Sequence, residues 1–170
     1  MSDELTISGR KIGPENPPFV IAELSGNHNQ SLERALELIT VAAQSGVHAV
    51  KFQTYTPETM TLDLDYGDFF ISDTESLWEG RSLYDLYAEA HTPWDWHEEM
   101  FSHARSLGLI PFSSPFDQSA VDFLEELDTP CYKIASFEST DLPLVRYVAS
   151  KGRPMIMSTG MAEWNEIMEA

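Results

Sequence analysis

The sequence has little of several things, and each shortage excludes a class of function. One cysteine, Cys131, occurs in 170 residues, so neither an internal disulfide nor a cysteine metal cluster can form. Its apolar surroundings predict a buried thiol, and a reducing cytoplasm is the expected compartment. Basic residues are scarce: ten Lys and Arg stand against 28 Asp and Glu, a formal charge of -18. Such a field repels nucleic acid and anionic membranes, so neither is expected as a partner, and an anionic ligand must be held by local cations. No apolar run approaches the roughly eighteen residues of a membrane span, and the polar start has no apolar core behind it, so neither a span nor an export signal is expected. Glycine is short where nucleotides need it, since Ser25-Gly26-Asn27-His28 holds a single glycine in place of the rich turn of a dinucleotide fold. The five histidines, His28, His48, His91, His97 and His103, show no ligand spacing, and no metal ligands are expected among these residues.

What is present is a globular composition, 42% hydrophobic and 11% aromatic. Five short apolar runs, at 19–23, 49–53, 109–114, 132–136 and 155–159, alternate with amphipathic stretches of helical period. Ser31 is placed to cap the first helix and Gly46 to end it. Thr92-Pro93-Trp94-Asp95 reads as cap, first-turn proline and N3 acid of a helix running to Leu107 and stopped by Gly108. Further helices are expected over 82–90 and 119–127, after Asp141 and from Glu163. The long connection 56–80, with its several aspartates, is expected to be functional or partly mobile. Alternation of this kind predicts a parallel sheet with right-handed crossovers, and without a nucleotide turn the (β/α)8 TIM barrel fits best. Residues 1–18, rich in proline, form a lead-in or hairpin; residues 19–170 supply about the first five βα units of the barrel. A barrel has eight, so a part of one, or half of an assembly, is expected.

Each run ends in polar residues, and active sites of parallel α/β folds lie at the carboxyl ends of the strands. Lys51 and Lys133 sit inside apolar strands, where an ammonium needs a partner. Lys51 reads either as a stem reaching to the barrel rim or as a ligand for an anion, with Gln53 on the same face. Glu23 fits an ion pair with either lysine as well as an acid or base role. Glu138 lies past its strand and fits a loop carboxylate or an acid–base group. Ser114, Ser136 and Ser158 are strand-end hydroxyls that serve turns singly and phosphate oxygens jointly. His28 is expected to anchor its loop, and Trp94 and Trp96 to pack a helix start.

The ordered motifs Ile21-Ala22-Glu23-Leu24-Ser25-Gly26-Asn27-His28-Asn29, Val50-Lys51-Phe52-Gln53-Thr54-Tyr55, Phe112-Ser113-Ser114-Pro115-Phe116-Asp117, Tyr132-Lys133-Ile134-Ala135-Ser136 and Ser158-Thr159-Gly160-Met161 resemble the sialic acid synthase family. Leu83-Tyr84-Asp85-Leu86-Tyr87 and Thr92-Pro93-Trp94-Asp95-Trp96-His97 resemble its pseudaminic acid branch. The resemblance implies a transferase of nonulosonic acid biosynthesis that joins phosphoenolpyruvate to an open-chain acetamido sugar and releases phosphate. For that branch the sugar is a 2,4-diacetamido-2,4,6-trideoxy hexose. It further implies that Lys51, Ser114 and Ser136 take the carboxylate of phosphoenolpyruvate, Lys133 and Ser158 its phosphate, Glu23 and Gln53 the sugar, and Glu138 the water that attacks C2. A divalent metal ion (Mn, Mg or Co) belongs to the complete enzyme, with histidine ligands on later strands, as do a small antifreeze-like domain and a homodimeric state. These 170 residues alone are then expected to be inactive. Rival readings are an N-acetylneuraminate or legionaminate synthase, a Schiff-base aldolase using either lysine, and a non-catalytic half-barrel assembly module.

Overall fold

The computed structural model describes residues 5–170. Strands β1 (Leu5–Ile7) and β2 (Arg10–Ile12) form an antiparallel hairpin. Its two-residue turn is left-handed at both positions, Ser8 at φ 48 and Gly9 at φ 77, as a tight hairpin requires. Then follow β3 (Ile21–Glu23), α1 (Leu32–Gln44), β4 (Ala49–Thr54), α2 (Pro57–Met60), α3 (Leu83–Ala90), α4 (His97–Ser106), β5 (Ile110–Pro115), α5 (Gln118–Glu126), β6 (Tyr132–Ile134), α6 (Leu142–Ser150), β7 (Met155–Met157) and α7 (Trp164–Glu169). Strands β3 to β7 make one parallel sheet in strictly sequential order. A doubly wound sheet reverses its order at a switch point; this one never does, and its fold is of the TIM-barrel type, built over five βα units.

Strand alternation divides the side chains between two faces. Toward the helices point Val50 and Phe52 of β4 and Tyr132 and Ile134 of β6. They pack on Ala35 and Ile39 of α1, Met100 and Phe101 of α4, Val121 and Leu124 of α5, and Val145 and Val148 of α6. Toward the lumen, Ala49, Phe112 and Cys131 cluster with Ile7 of the hairpin, and Ile21, Ile110 and Ile156 pack around them. Isoleucines, with Ala49, Phe112 and Cys131, thus fill the amino-terminal end of the lumen, and the hairpin covers it. Two residues further along each strand the lumen face turns polar: Glu23, Lys51 and then Gln53, Ser114, Lys133 and, just past β7, Ser158.

Two expectations are corrected. The first strand begins at Ile21 and not at residue 19. The helix expected from Thr92 starts as a 3-10 turn, Trp94–Trp96, and becomes α-helical only at His97. Thr92 does not cap it, because its hydroxyl lies 3.1 Å from Nε2 of the buried His28. The connection 56–80 is folded: it contains α2 and a 3-10 turn, Gly67–Phe69, and an antiparallel bridge from Phe70 to Ser82 closes it. Elsewhere the caps lie where the side chains predict. Ser31 accepts from the Arg34 N–H at 3.2 Å, and Asp141 from the Leu144 N–H at 3.1 Å. Gly108, at φ 78, follows the last residue of α4's closing turn.

Candidate active site

Lys51 and Lys133 both face the lumen, with β5 between their strands. Glu23 is paired in register with Lys51 on the neighbouring strand. The two side chains form an ion pair, Lys51 largely buried at 14% exposure and Glu23 reaching solvent at 43%. Of the two readings left open for Glu23, the ion pair is the one seen. Among the described residues no carboxylate lies within ion-pair distance of Lys133. Its ammonium donates to the Ile134 carbonyl oxygen at 2.8 Å. Burial, then the charge of Lys51, holds it below the usual lysine range, while Glu23 and Glu138 pull the other way. These four charged groups therefore sense one another across the lumen.

Ser113 is paired with Tyr132, which sets Ser114 beside Lys133 one residue on. Ser114 is 1% exposed. Among the described residues, its Oγ and Glu138 Oε2 are the buried side-chain polar atoms without a hydrogen-bond partner. Buried polar atoms are normally paired, and each exception carries a cost that a ligand can offset. Burial raises the Glu138 carboxyl above the usual range, with Asp141 adding to the shift and Lys133 opposing it. Glu138 stands on the 3-10 turn Phe137–Thr140 that follows β6. Ser136 opens that turn, its carbonyl accepting from Ser139 Oγ at 2.8 Å. The Ser158 N–H donates to the Ile134 carbonyl at 3.0 Å, extending the β6–β7 ladder past the strand. Gly160 lies against Ser136, so that an added Cβ would stand 3.8 Å from the serine Cβ. The ends of β5, β6 and β7 thus bring together Ser114, Lys133, Ser136, Glu138 and Ser158. The ends of β3 and β4 bring together Glu23, Lys51 and Gln53.

Ser25, singled out by no sequence argument, ties the second group. It is a non-glycine residue at φ 47; its N–H donates to Glu23 Oε1 at 3.2 Å and its hydroxyl to Gln53 Oε1 at 3.2 Å. The only hint in the sequence is its place between a strand and a glycine. His28 is 2% exposed. Nδ1 accepts from the Gln30 N–H at 3.2 Å and Nε2 meets Thr92, so it anchors its loop. Trp94 stacks on Phe123 with ring centroids 4.8 Å apart and donates from Nε1 to the Tyr55 carbonyl. A cavity of about 570 Å³ at the amino-terminal end contains Arg105 and Arg153. Both guanidinium groups are engaged, Arg105 with the Leu127 and Asp128 carbonyls and Arg153 with Glu125 and Asp128. Among the described residues no three of His, Cys, Asp and Glu gather as metal ligands. No helix among them is long and apolar enough to cross a membrane.

The NeuB family model matches residues 38–170. The chain is 47% identical over 151 residues to a pseudaminic acid synthase of Campylobacter jejuni, covering 89% of this chain and 43% of that protein. It is 47% identical over 154 residues to a pseudaminic acid synthase of Helicobacter pylori, covering 91% and 45%. The crystal structure of an N-acetylneuraminic acid (sialic acid) synthetase from Leptospira borgpetersenii in complex with citrate superposes with a TM-score of 0.82 at 30% identity, covering 99% of this chain and 54% of that one. The chain therefore spans less than half the length of these two curated relatives.

Proposed function

The chain belongs to the NeuB family, and on that premise we propose that its lumen wall binds phosphoenolpyruvate and an open-chain 2,4-diacetamido-2,4,6-trideoxy hexose for condensation to pseudaminic acid and phosphate. The pseudaminic acid synthases at 47% identity support that sugar over those of the neuraminate and legionaminate enzymes. The observation that carries the reading is the pair of orphaned buried oxygens, Ser114 Oγ on β5 and Glu138 Oε2 just past β6, at strand ends where Lys133 makes no ion pair among the described residues.

In this arrangement Lys133 and Ser158 take the phosphate group, and Lys51, Ser114 and Ser136 the carboxylate, each by charge-assisted hydrogen bonds. Glu23 and Gln53, held by Ser25, face the sugar. C3 of phosphoenolpyruvate attacks the sugar aldehyde, water adds to C2, and cleavage of the C2–O bond releases phosphate. Glu138, its carboxyl raised by burial, handles the proton of that water, a task suited to a group titrating nearer neutrality. The two lysines hold the negative charge in place as it moves from the enol phosphate to the departing phosphate, which preorganised cations do without reorganising. Pseudaminic acid synthesis is a soluble-phase, carbohydrate biosynthetic step, and the cytoplasm and a homodimeric assembly are proposed with it.

Calorimetric titration with phosphoenolpyruvate tests the reading. Lys133→Met is expected to weaken binding at least about tenfold, the scale of one charge-assisted contact. Equal affinity in that variant would overturn the assignment. A depressed ammonium is also what a Schiff-base lysine has. Borohydride with pyruvate is therefore expected to leave Lys133 unmodified, and a covalent adduct there would favour an aldolase.

A further inference from the structure

We propose that His97, behind the sheet and outside the lumen, is a positioning residue for this wall: through Thr54 and Ser113 it fixes the rotation of the carboxyl ends of β4 and β5, and with it the aim of Gln53 and Ser114. The inference rests on the reading of the wall as a phosphoenolpyruvate and sugar site.

His97 is fully buried, as are Thr54 and Ser113. Its Nδ1 lies 3.2 Å from the Pro93 carbonyl oxygen. A carbonyl can only accept, so the ring proton is on Nδ1 and Nε2 is left as an acceptor. Thr54 Oγ1 is 2.9 Å from Nε2 and must donate its one proton there. Ser113 Oγ, 2.6 Å from Thr54 Oγ1, must then be the donor in that contact. With the ring proton directed at Pro93, the relay runs from Ser113 to Thr54 to His97 to Pro93.

Its place in the sheet gives it a purpose. Thr54 is the immediate neighbour of Gln53 and Ser113 of Ser114, and in a strand adjacent side chains point to opposite faces. A hydroxyl locked on the helix side leaves the strand no freedom to roll, so the residue beside it is aimed at the lumen. Gln53 and Ser114 are themselves paired in register, so the relay clamps the two strands at the step where the lumen face carries its polar atoms. Hydroxyls in apolar surroundings are costly compared with valine or alanine at the same positions, and neither hydroxyl touches the lumen. Site geometry held to within about half an ångström by a supporting shell is what a preorganised anion site requires.

Thr54→Val keeps the packing and removes the relay; Thr54→Ser keeps the relay and removes a methyl. Calorimetry with phosphoenolpyruvate is expected to give an affinity about tenfold weaker for Thr54→Val, the scale of one lost buried hydrogen bond, and near that of the unaltered chain for Thr54→Ser. A merely structural role predicts that affinity is indifferent to the hydroxyl, and equal binding by Thr54→Val would overturn the proposal. Failure of the underlying reading looks different: the unaltered chain and Lys133→Met would then bind alike, or not at all, and the proposal would fall with the site. Histidine ¹⁵N NMR of the unaltered chain needs no variant. A proton on Nδ1 and a bare Nε2 are expected for His97, and a proton on Nε2 would contradict the relay.

Discussion

At the scale of single residues the site is expensive, and the expense is measurable. Glu138 is half-buried, one of its oxygens has no partner, and its carboxyl is raised by burial. A carboxyl with a higher value folded than unfolded holds its proton in the folded state first, so stability falls as pH rises from the unfolded value through the folded one. Glu138→Gln removes the buried charge and is therefore expected to raise thermal stability at neutral pH, a gain that shrinks below the raised value. Melting curves at neutral and acid pH check this, and a lower melting temperature for the variant at neutral pH would contradict it. His97 works in the opposite direction. Burial, the main cause, lowers it to about 4, His28 adds to the shift, and the carbonyls of Pro93, Trp94 and Gln53 oppose it. Between that value and the usual 6.5 the unfolded chain binds the extra proton, so stability rises with pH across the window. The account predicts a loss of up to about 3 kcal/mol on acidification from pH 7 to 4, largely absent in His97→Gln once its own lower baseline is subtracted.

At the scale of elements, much of the fold was legible because it rests on local pattern. Strands buried on both sides show as apolar runs, and the alternation that puts Lys51 and Gln53 on one face needs no structure to be read. Non-local choices were not legible. Glu23 had two lysines to choose from, and only the β3–β4 register selects Lys51. Thr92 has the residue type of a helix cap, but a histidine 64 positions earlier, in the loop after β3, takes its hydroxyl. Ser113, Thr54 and His97 belong to three different elements and carry no spacing signal. The same loop makes a close approach that only glycine allows. An added Cβ at Gly26 would lie 2.8 Å from the Ala90 carbonyl oxygen, a backbone atom at the end of α3 that cannot swing aside. Gly26→Ala is expected to cost about 1–3 kcal/mol, as overpacking does, and to loosen Ser25 from Gln53. Chemical denaturation measures the first effect, and an unchanged midpoint would contradict it. The hairpin is equally specific: Ile7 is fully buried against the lumen cluster, and Ile7→Ala is expected to cost about 2–5 kcal/mol.

At the scale of the whole molecule two opposed electrostatic choices meet. The formal charge of -18 repels small anions at long range. Inside the lumen, two ammonium groups and a row of hydroxyls stand above an apolar floor closed by the hairpin. Burial and Lys51 disfavour the ammonium of the inward Lys133, and Glu23 and Glu138 favour it; in the proposed function an anionic ligand offsets the rest of its cost. In the proposed function, motif order and unpartnered burial meet at Ser114, Lys133 and Glu138.

A crystal structure of the chain grown with phosphoenolpyruvate tests that convergence most directly. The account predicts the ligand in the lumen between Lys133 and Lys51, its phosphate on the Lys133 ammonium and its carboxylate within hydrogen-bond distance of Ser114 Oγ. Phosphoenolpyruvate bound outside the lumen, at the amino-terminal arginines or nowhere, would contradict it.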